Sequence, residues 1–489
     1  FLLITALEAS AQRVGVVMSG GGAKGLYHIG VLRALEENDI PVDYIAGTSM
    51  GSIIGGLYAV GFSVEELEQI ALSGDLERWV AGRIGEQYNY YYIERDRISS
   101  MISIPILTPR DVQDDKRSRV VLPGSVINTA EIDMALNRYF ATATRASEGD
   151  FDKLMIPFRC VATDIKNHRA VELKSGDLAR AIRASMALPV AFPPIEIDSV
   201  LMCDGGCYDN FPWRTLDEAF NPDIIIGACC LDVDRKLSRR ATVVEQVMSL
   251  ITMPTDFDMP ESRSVFIQRD VEASVLNFSD AATIMASGYN DALEAMPRIK
   301  ALVERRTTPE QRKAQREAFR EQCGQMHIGT ISSEGLSPNR SNVVDKMMHL
   351  GVKNRDKQNP IPIETASDNY LSMLANNAIE SDFPEITYQA ESGNYRMNLP
   401  LRIKPKFDVS IGGNISSTAF NQAYIGLKYS WWGRAVQTFN LDVLLGPVYT
   451  MARLKGRTTL STKVPLYIDY SYNFNITNTM KGNFGNLTP

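Results

Sequence analysis

Histidine is scarce in this chain: four residues in 489, at positions 28, 168, 327 and 349. Chemistry that needs a histidine late in a domain is therefore short of candidates. Cysteine is scarce too, with six residues that are too few for a disulfide scaffold and lack the paired spacing of a zinc site. No run of 18 or more apolar residues occurs, which excludes a transmembrane helix. An excess of basic charge is also missing. The 51 Lys and Arg stand against 58 Asp and Glu, a net charge of −7 that speaks against nucleic acid as a partner. What is present is an ordinary globular composition, 44% hydrophobic and 22% charged, so wholesale disorder is excluded. The length predicts about two to four domains.

The first residues, Phe1-Leu2-Leu3-Ile4-Thr5-Ala6-Leu7 and then Ala9-Ser10-Ala11, read as the end of a secretory signal cleaved after Ala11. A short first strand or helix is the alternative. From residue 13 to about 300, short apolar runs alternate with helical stretches: Val14–Met18, a helix over Gly25–Asn38, Tyr44–Ala46, Phe158–Ala162, Ile224–Ala228. That alternation predicts an α/β domain on a mainly parallel sheet. A charged helix around Thr308–Glu321 reads as a connector with a solvated face. Residues 325 to 404 then read as strand (Met326–Ile331), helix (Pro338–Leu350), helix (Ile363–Asn376) and two strands (Glu385–Ala390, Tyr395–Ile403), with a hairpin turn at Ser392-Gly393-Asn394.

The last eighty-odd residues change character. Four segments alternate with period two: Phe407–Ile411, Ala423–Trp431, Phe439–Leu445 and Leu466–Ile476, with aromatics such as Trp431, Trp432, Tyr470 and Tyr472 near their ends. Segments of about ten residues, apolar on one side and polar on the other, are the pattern of a transmembrane β-barrel. A soluble antiparallel sheet with one wet face shows the same alternation. Four strands cannot close a barrel when about eight is the smallest that does, so the barrel strands are expected to be incomplete in this chain or combined from several chains.

The chemistry starts at Ser19-Gly20-Gly21-Gly22-Ala23-Lys24-Gly25, between a strand and a helix. Gly20-x-Gly22-x-x-Gly25 formally matches a dinucleotide fingerprint, but Asp43 precedes the second strand instead of ending it, and no Lys-Ser/Thr follows as a P-loop needs. Backbone N–H groups in such a turn can hold an oxyanion instead. The second strand ends in Gly47-Thr48-Ser49-Met50-Gly51, a G-x-S-x-G in which small neighbours let a serine sit on a strained strand-to-helix turn. Ser49 needs a base, and no histidine falls late enough. His28 reads as a packing residue of the first helix and His168 lies in a turn, while His327 and His349 fall in the next domain. Asp204, in Met202-Cys203-Asp204-Gly205-Gly206, remains. Cys203 and Cys207 flank that turn and could pair in an oxidising compartment, whereas Cys229-Cys230 read as buried thiols.

Together these residues resemble the patatin-like phospholipase family, whose marks are a G-G-G-x-[KR]-G loop, a G-x-S-x-G elbow and a D-G-G motif. Here they are Gly20 to Gly25, Gly47 to Gly51 and Asp204 to Gly206, joined by Ala181–Pro189 and Phe192-Pro193-Pro194, which look like the family's block before D-G-G. The resemblance implies a three-layer α/β/α hydrolase over residues 12–305, a Ser49–Asp204 dyad, and an oxyanion hole from Gly20, Gly21 and Gly22. Gly25, Gly47, Gly51, Gly205 and Gly206 shape the motifs. Lys24 is either a contact for a lipid phosphate or a solvated charge. A helical linker (306–324) and residues 325–404, which resemble a POTRA domain, lead into residues 405–489 as barrel strands, the arrangement of the bacterial outer-membrane branch. The expected function is a serine acyl hydrolase cleaving fatty-acyl esters of phospholipids. No cofactor, metal or nucleic acid is expected. The expected partners are an acyl-ester substrate, the outer membrane of a Gram-negative bacterium and a second copy as homodimer, with the catalytic domain periplasmic or surface-exposed. Two other readings stand beside it: an outer-membrane transport or assembly module carrying the α/β domain as passenger, and, more distantly, a dinucleotide-binding oxidoreductase.

Overall fold

The computed structural model describes residues 12–82, 84–88, 100–107, 119–120, 127–231, 246, 249, 251–349, 360–376, 379–404, 407–414, 422–432, 435–446, 449–460 and 466–477. The signal segment expected at Phe1–Ala11 lies outside them. The chain divides into two compact units, Phe1–Ile84 with Gly124–Met326 and Ile386–Tyr395, and Gly85–Pro123 with His327–Glu385 and Arg396–Pro489.

The first unit is built on a mixed sheet whose centre is parallel. The buried strands β1 (Val14–Met18) and β2 (Tyr44–Thr48) lie side by side in parallel, with Ile224–Cys229 and then Ser264–Gln268 beyond β1. On the far side of β2, Phe158–Asp164 continues the parallel run. Val200–Asp204 and Ile195–Ile197 close that edge antiparallel, and Arg169–Leu173 also pairs with Phe158–Asp164. The central strands read as continuous apolar runs because helices leave neither face to solvent. Helix α1 (Tyr27–Glu37) follows β1, and α2 (Met50–Ala59) follows β2.

The charged helix Pro309–Cys323 is not a solvated connector. Its cap is a box in which Thr308 and Gln311 satisfy each other's backbone N–H groups. Arg316 pairs with Glu36 at the end of α1, Arg312 donates to the Glu36 carbonyl at 2.7 Å, and Arg320 pairs with Glu66. Phe319 and Cys323 are buried. The mixed charge therefore anchors the helix to the α/β unit, a use that charge pattern alone does not separate from solvation.

In the second unit, helices Pro338–Met348 and Ile363–Asn376 accompany a small sheet in which Ile361–Pro362, His327–Glu334, Asn394–Ile403 and Ile379–Ser381 lie in that order. The two-residue strand Ile361–Pro362 and the three-residue strand Ile379–Ser381 are additions to the expected β-α-α-β-β order. Strands so short carry no periodicity to read. The other sheet has, among the described residues, the strands Leu466–Thr477, Tyr449–Leu460, Ala435–Leu445, Gln422–Trp432, Phe407–Asn414, Ser100–Leu107 and Arg119–Val120, each antiparallel to the next. It corrects two expectations. Residues 12–305 are not one domain, because Ser100–Leu107 and Arg119–Val120 belong to this sheet. Among the described residues five strands also follow residue 405 where the alternation predicts four, the additional one being Tyr449–Leu460. Its register places Ala452, Gly456 and Thr458 on the apolar rows, too small to announce an alternation.

The two faces of this sheet differ sharply. Val409, Leu427, Leu441, Leu454 and Tyr472 form one cross-strand row, and Ile411, Ile425, Val443, Ala452 and Phe474 a neighbouring one. Many of these are open to solvent, up to 69% for Phe474. The polar rows hold Asp442, which accepts from Tyr424 Oη at 2.8 Å and pairs with Arg453 at 2.8 Å, and the ion pair Arg457–Asp469 at 2.6 Å. No helix among the described residues is long and apolar enough to cross a membrane.

Candidate active site

The register of one strand assembles the site. Thr48 at the end of β2 pairs with Val161, and Asp204 pairs with Ala162, so Phe158–Asp164 separates the two motifs by a single strand width. Met18, at the end of β1, pairs with Gly47 on the other side of β2 and brings the glycine loop to the same edge. Residues distant in sequence meet there.

Ser49 occupies the turn between β2 and α2 with φ 52° and ψ −120°, a conformation that an L-residue adopts only under strain. Gly51 makes the turn feasible, since a Cβ there would sit 2.7 Å from the Ser19 carbonyl oxygen and closer still to that of Met18. The Ser49 N–H donates to Ser185 Oγ at 3.0 Å, which in turn donates to the Val161 carbonyl at 2.7 Å. The Ser49 hydroxyl donates to Asp204 Oδ2 at 2.7 Å. The N-terminal end of α2 begins immediately after Ser49, and its dipole favours negative charge at that point.

Asp204 is 3% exposed. Burial pushes its carboxyl up to about 6, opposed in part by hydrogen bonds from the Gly206 N–H (2.8 Å) and the Ser49 hydroxyl. Its backbone is fixed at both ends: its N–H donates to the Ala187 carbonyl at 2.9 Å, and its carbonyl accepts from Thr163 Oγ1 at 2.9 Å. A base that is ionised just above pH 6 and held on a serine hydroxyl is suited to take that proton.

The glycine loop divides unequally. The Gly20 N–H is already given to the Asn210 carbonyl at 3.1 Å, so Gly20 is not free for the oxyanion role expected of it. Gly21 and Gly22 face the cavity at the site, and among the described residues no acceptor takes their N–H groups. Gly22 has φ 57°, which turns the chain there. Gly25 packs against Met50 at the start of α2. Lys24 also reaches the cavity and pairs with Asp270 at 3.4 Å.

That cavity, about 490 Å³, has Ser49 and Asp204 in its wall and an otherwise mainly apolar lining that includes Ile53, Leu57, Leu76, Trp79, Leu136 and Leu188. Volume and lining suit a hydrocarbon chain. His28 is wholly buried, with Nε2 on the Ser19 carbonyl at 2.8 Å, and burial lowers it to about 4. It is a neutral strut beneath the glycine loop. Asp43 accepts from the Val14 N–H at 2.7 Å and pairs with Arg305, at the opposite end of β1 from the glycine loop, so it is committed where a ribose could not use it. All six cysteines are buried free thiols, Cys203 and Cys207 included. Sequence reasoning missed Ser185, which lay unassigned inside the Ala181–Pro189 block, and Asn210, whose only signal was its place six residues after Asp204.

Residues 16–217, about two-fifths of the chain, match the family model of the patatin-like phospholipases. The chain is similar to lysophospholipase NTE1 of Cryptococcus neoformans var. neoformans serotype D (strain JEC21), 32% identical over 215 residues, which are 44% of this chain and 11% of that protein. It is similar as well to lysophospholipase NTE1 of Mycosarcoma maydis, 33% identical over 199 residues, 41% of this chain and 9% of that protein. The chain thus matches about a tenth of the length of these relatives. Among solved structures it is similar to VipD from Legionella pneumophila, at 14% identity and a TM-score of 0.33, over 59% of this chain and 67% of that one.

Proposed function

We propose that the chain is a serine acyl hydrolase that cleaves fatty-acyl esters of phospholipids with a Ser49–Asp204 dyad. The observation that carries the reading is the 2.7 Å hydrogen bond from Ser49 Oγ to a buried carboxylate in the wall of an apolar cavity. The patatin-like domain match and the lysophospholipase relatives support it.

The steps follow from the geometry. Ser49 Oγ attacks the ester carbonyl carbon while its proton passes to Asp204 Oδ2, and the carbonyl electron pair moves to oxygen. The N–H groups of Gly21 and Gly22 stabilise that oxyanion, one such donor being typically worth about 3–4 kcal/mol. The ester C–O bond then breaks, Asp204 returns its proton to the departing alcohol, and the acyl group stays on Ser49. Water enters, gives its proton to Asp204 and attacks the acyl carbon. The fatty acid leaves and Ser49 recovers its proton. Lys24 offers a cation for the lipid phosphate.

The two-faced antiparallel sheet supports an outer-membrane location, with its apolar rows towards lipid as part of a barrel and the region 325–404 as a POTRA-like domain beside it. The same sheet is what favours the second reading, a transport or assembly module with the hydrolase as passenger. The test is fatty-acid release from mixed phospholipid vesicles by the full chain beside Ser49→Ala and Asp204→Asn. Release by the parent with both folded variants at background supports the hydrolase. An inert parent on phospholipids and short-chain esters alike overturns it in favour of the module.

A further inference from the structure

The loop after Asp204 holds a polar side chain on the cavity wall that makes no hydrogen bond among the described residues. Its backbone is pinned on both sides: the Asn210 carbonyl takes the Gly20 N–H at 3.1 Å, and the preceding Asp209 carbonyl takes Thr48 Oγ1 at 2.9 Å. Asn210 is 8% exposed and lines the cavity that contains Ser49 and Asp204. Its carboxamide lies between the two glycine motifs. A Cβ on Gly206 would meet Asn210 Oδ1 at 2.7 Å and Asp204 Oδ1 at 3.0 Å, and a Cβ on Gly20 would collide with the same amide while lying 3.1 Å from Ser49 Cβ.

Every neighbouring polar side chain is occupied. Ser49, Thr48, Thr163, Ser185 and Asp204 each make a hydrogen bond inside the protein. The Asn210 carboxamide makes none among the described residues. The amide opens onto the cavity, where a ligand can complete its hydrogen bonds. Half a turn about χ2 exchanges the amide oxygen and nitrogen, so the position now held by Oδ1 can present two N–H donors. Both oxygens of Asp204 already have donors, and the Gly20 N–H is taken. The unfilled demand at this point is for donors to the charge that develops on the ester oxygen.

We propose that Asn210 is a catalytic residue, its Nδ2–H donating to the oxyanion alongside the N–H groups of Gly21 and Gly22. This rests on the acyl-hydrolase reading above. A donor used only once charge has developed acts on kcat and leaves KM nearly unchanged.

The test compares Asn210→Ala and Asn210→Asp with the parent and Ser49→Ala, in the full chain, on a short-chain nitrophenyl ester and a phospholipid. Asn210→Asp keeps the shape and removes the donor, so it remains informative should the alanine variant fail to fold. Expected is a loss in kcat of about 10²–10³-fold with KM within about threefold. A trifluoromethyl ketone, which forms the charged adduct on Ser49, should bind more weakly by a similar factor, while a non-hydrolysable ether lipid should keep its Kd. If the parent is active, Ser49→Ala is dead and a folded Asn210 variant keeps kcat within about fivefold, Asn210 is not a donor and only this inference falls. It falls likewise if the loss lies in KM and in ether-lipid binding. An inert parent overturns the hydrolase reading and this inference with it.

Discussion

Replacing Asp204 with asparagine should destroy activity and stabilise the α/β unit. An aspartate whose folded-state pKa is raised from 3.8 to about 6 holds its proton more tightly when folded than when unfolded. Below about pH 4 both states are protonated and the buried carboxyl contributes its full stability. Between about 4 and 6 the unfolded chain loses the proton while the folded one keeps it, so stability falls. Above 6 the loss is complete and constant. A rise of about 2 in pKa at 1.36 kcal/mol per unit gives about 3 kcal/mol. Asparagine never ionises, and it can keep both contacts, accepting from the Gly206 N–H and donating to Ser49 Oγ. The parent should therefore lose about 3 kcal/mol relative to Asp204→Asn between pH 4 and 6.5, with no further change to pH 8. Hydrogen-exchange protection of the β1 and β2 amides at several pH values measures this, and reports the unit that holds the site rather than the whole chain. Taking the difference between the two proteins cancels other buried carboxyls such as Asp209, which burial also raises to about 6. A difference that is flat with pH, or that grows in favour of the parent, would refute the assignment of a desolvated base.

Three further outcomes are expected. Ser49→Gly and Ser49→Ala should both be inactive, but the glycine variant should be more stable by about 1–2 kcal/mol in thermal or chemical unfolding, because only glycine adopts the φ of 52° without strain. The kcat/KM of the parent should fall about tenfold per pH unit below about 6, since only ionised Asp204 can take the serine proton; a rate flat to pH 4.5 would remove it as the base. Arg183→Met should cost about 3–5 kcal/mol by stripping the buried Asp133 of its cation at 2.6 Å, and adding Asp133→Leu should recover most of the loss, read from the melting temperature of single and double variants.

How much of this could be read beforehand depends on whether a residue's role is local. Ser49 and Asp204 sit in glycine-flanked turns at strand ends, and turns of that kind announce themselves in a single stretch of sequence. Gly20 looked identical to Gly21 and Gly22 because what separates them is a hydrogen bond to Asn210, 190 residues away in the chain. Asn210 and Ser185 were silent for the same reason. The alternating strands after residue 405 were visible wherever large apolar residues occupied one face. Tyr449–Leu460 was hidden by small residues on those rows, and Ser100–Leu107, though it alternates, was read into the α/β domain around it. Strand pairing is a long-range property, and a period of two does not say which sheet a strand joins. The arginines of Pro309–Cys323 have ordinary surface spacing, and only the carboxylates they reach on and beside α1 show that the helix is docked.

The Ser49–Asp204 contact owes its geometry to backbone more than to side-chain packing. Ser49 and Asp204 are 155 residues apart, yet the same short strand places both: Thr48, the residue before Ser49, lies opposite Val161, and Asp204 lies opposite Ala162. The Val161 carbonyl anchors Ser185, which holds the Ser49 N–H, and Thr163 on that strand holds the Asp204 carbonyl. A strand buried along its whole length is among the stiffest elements a protein has. With both partners hung from it, the 2.7 Å contact exists before any ester arrives, and no loop has to close to create it. On the proposed reading, that is how the site can dispense with a histidine. In a triad the imidazole is itself the base that takes the serine proton, whereas here the carboxylate lies directly on the hydroxyl, and burial raises its basicity. The Gly21 and Gly22 N–H groups and the Asn210 amide lack partners among the described residues, and on the proposed reading they are the oxyanion site. Pre-forming the ground-state contact and reserving these donors for the charge that appears later is how binding energy is directed to the transition state.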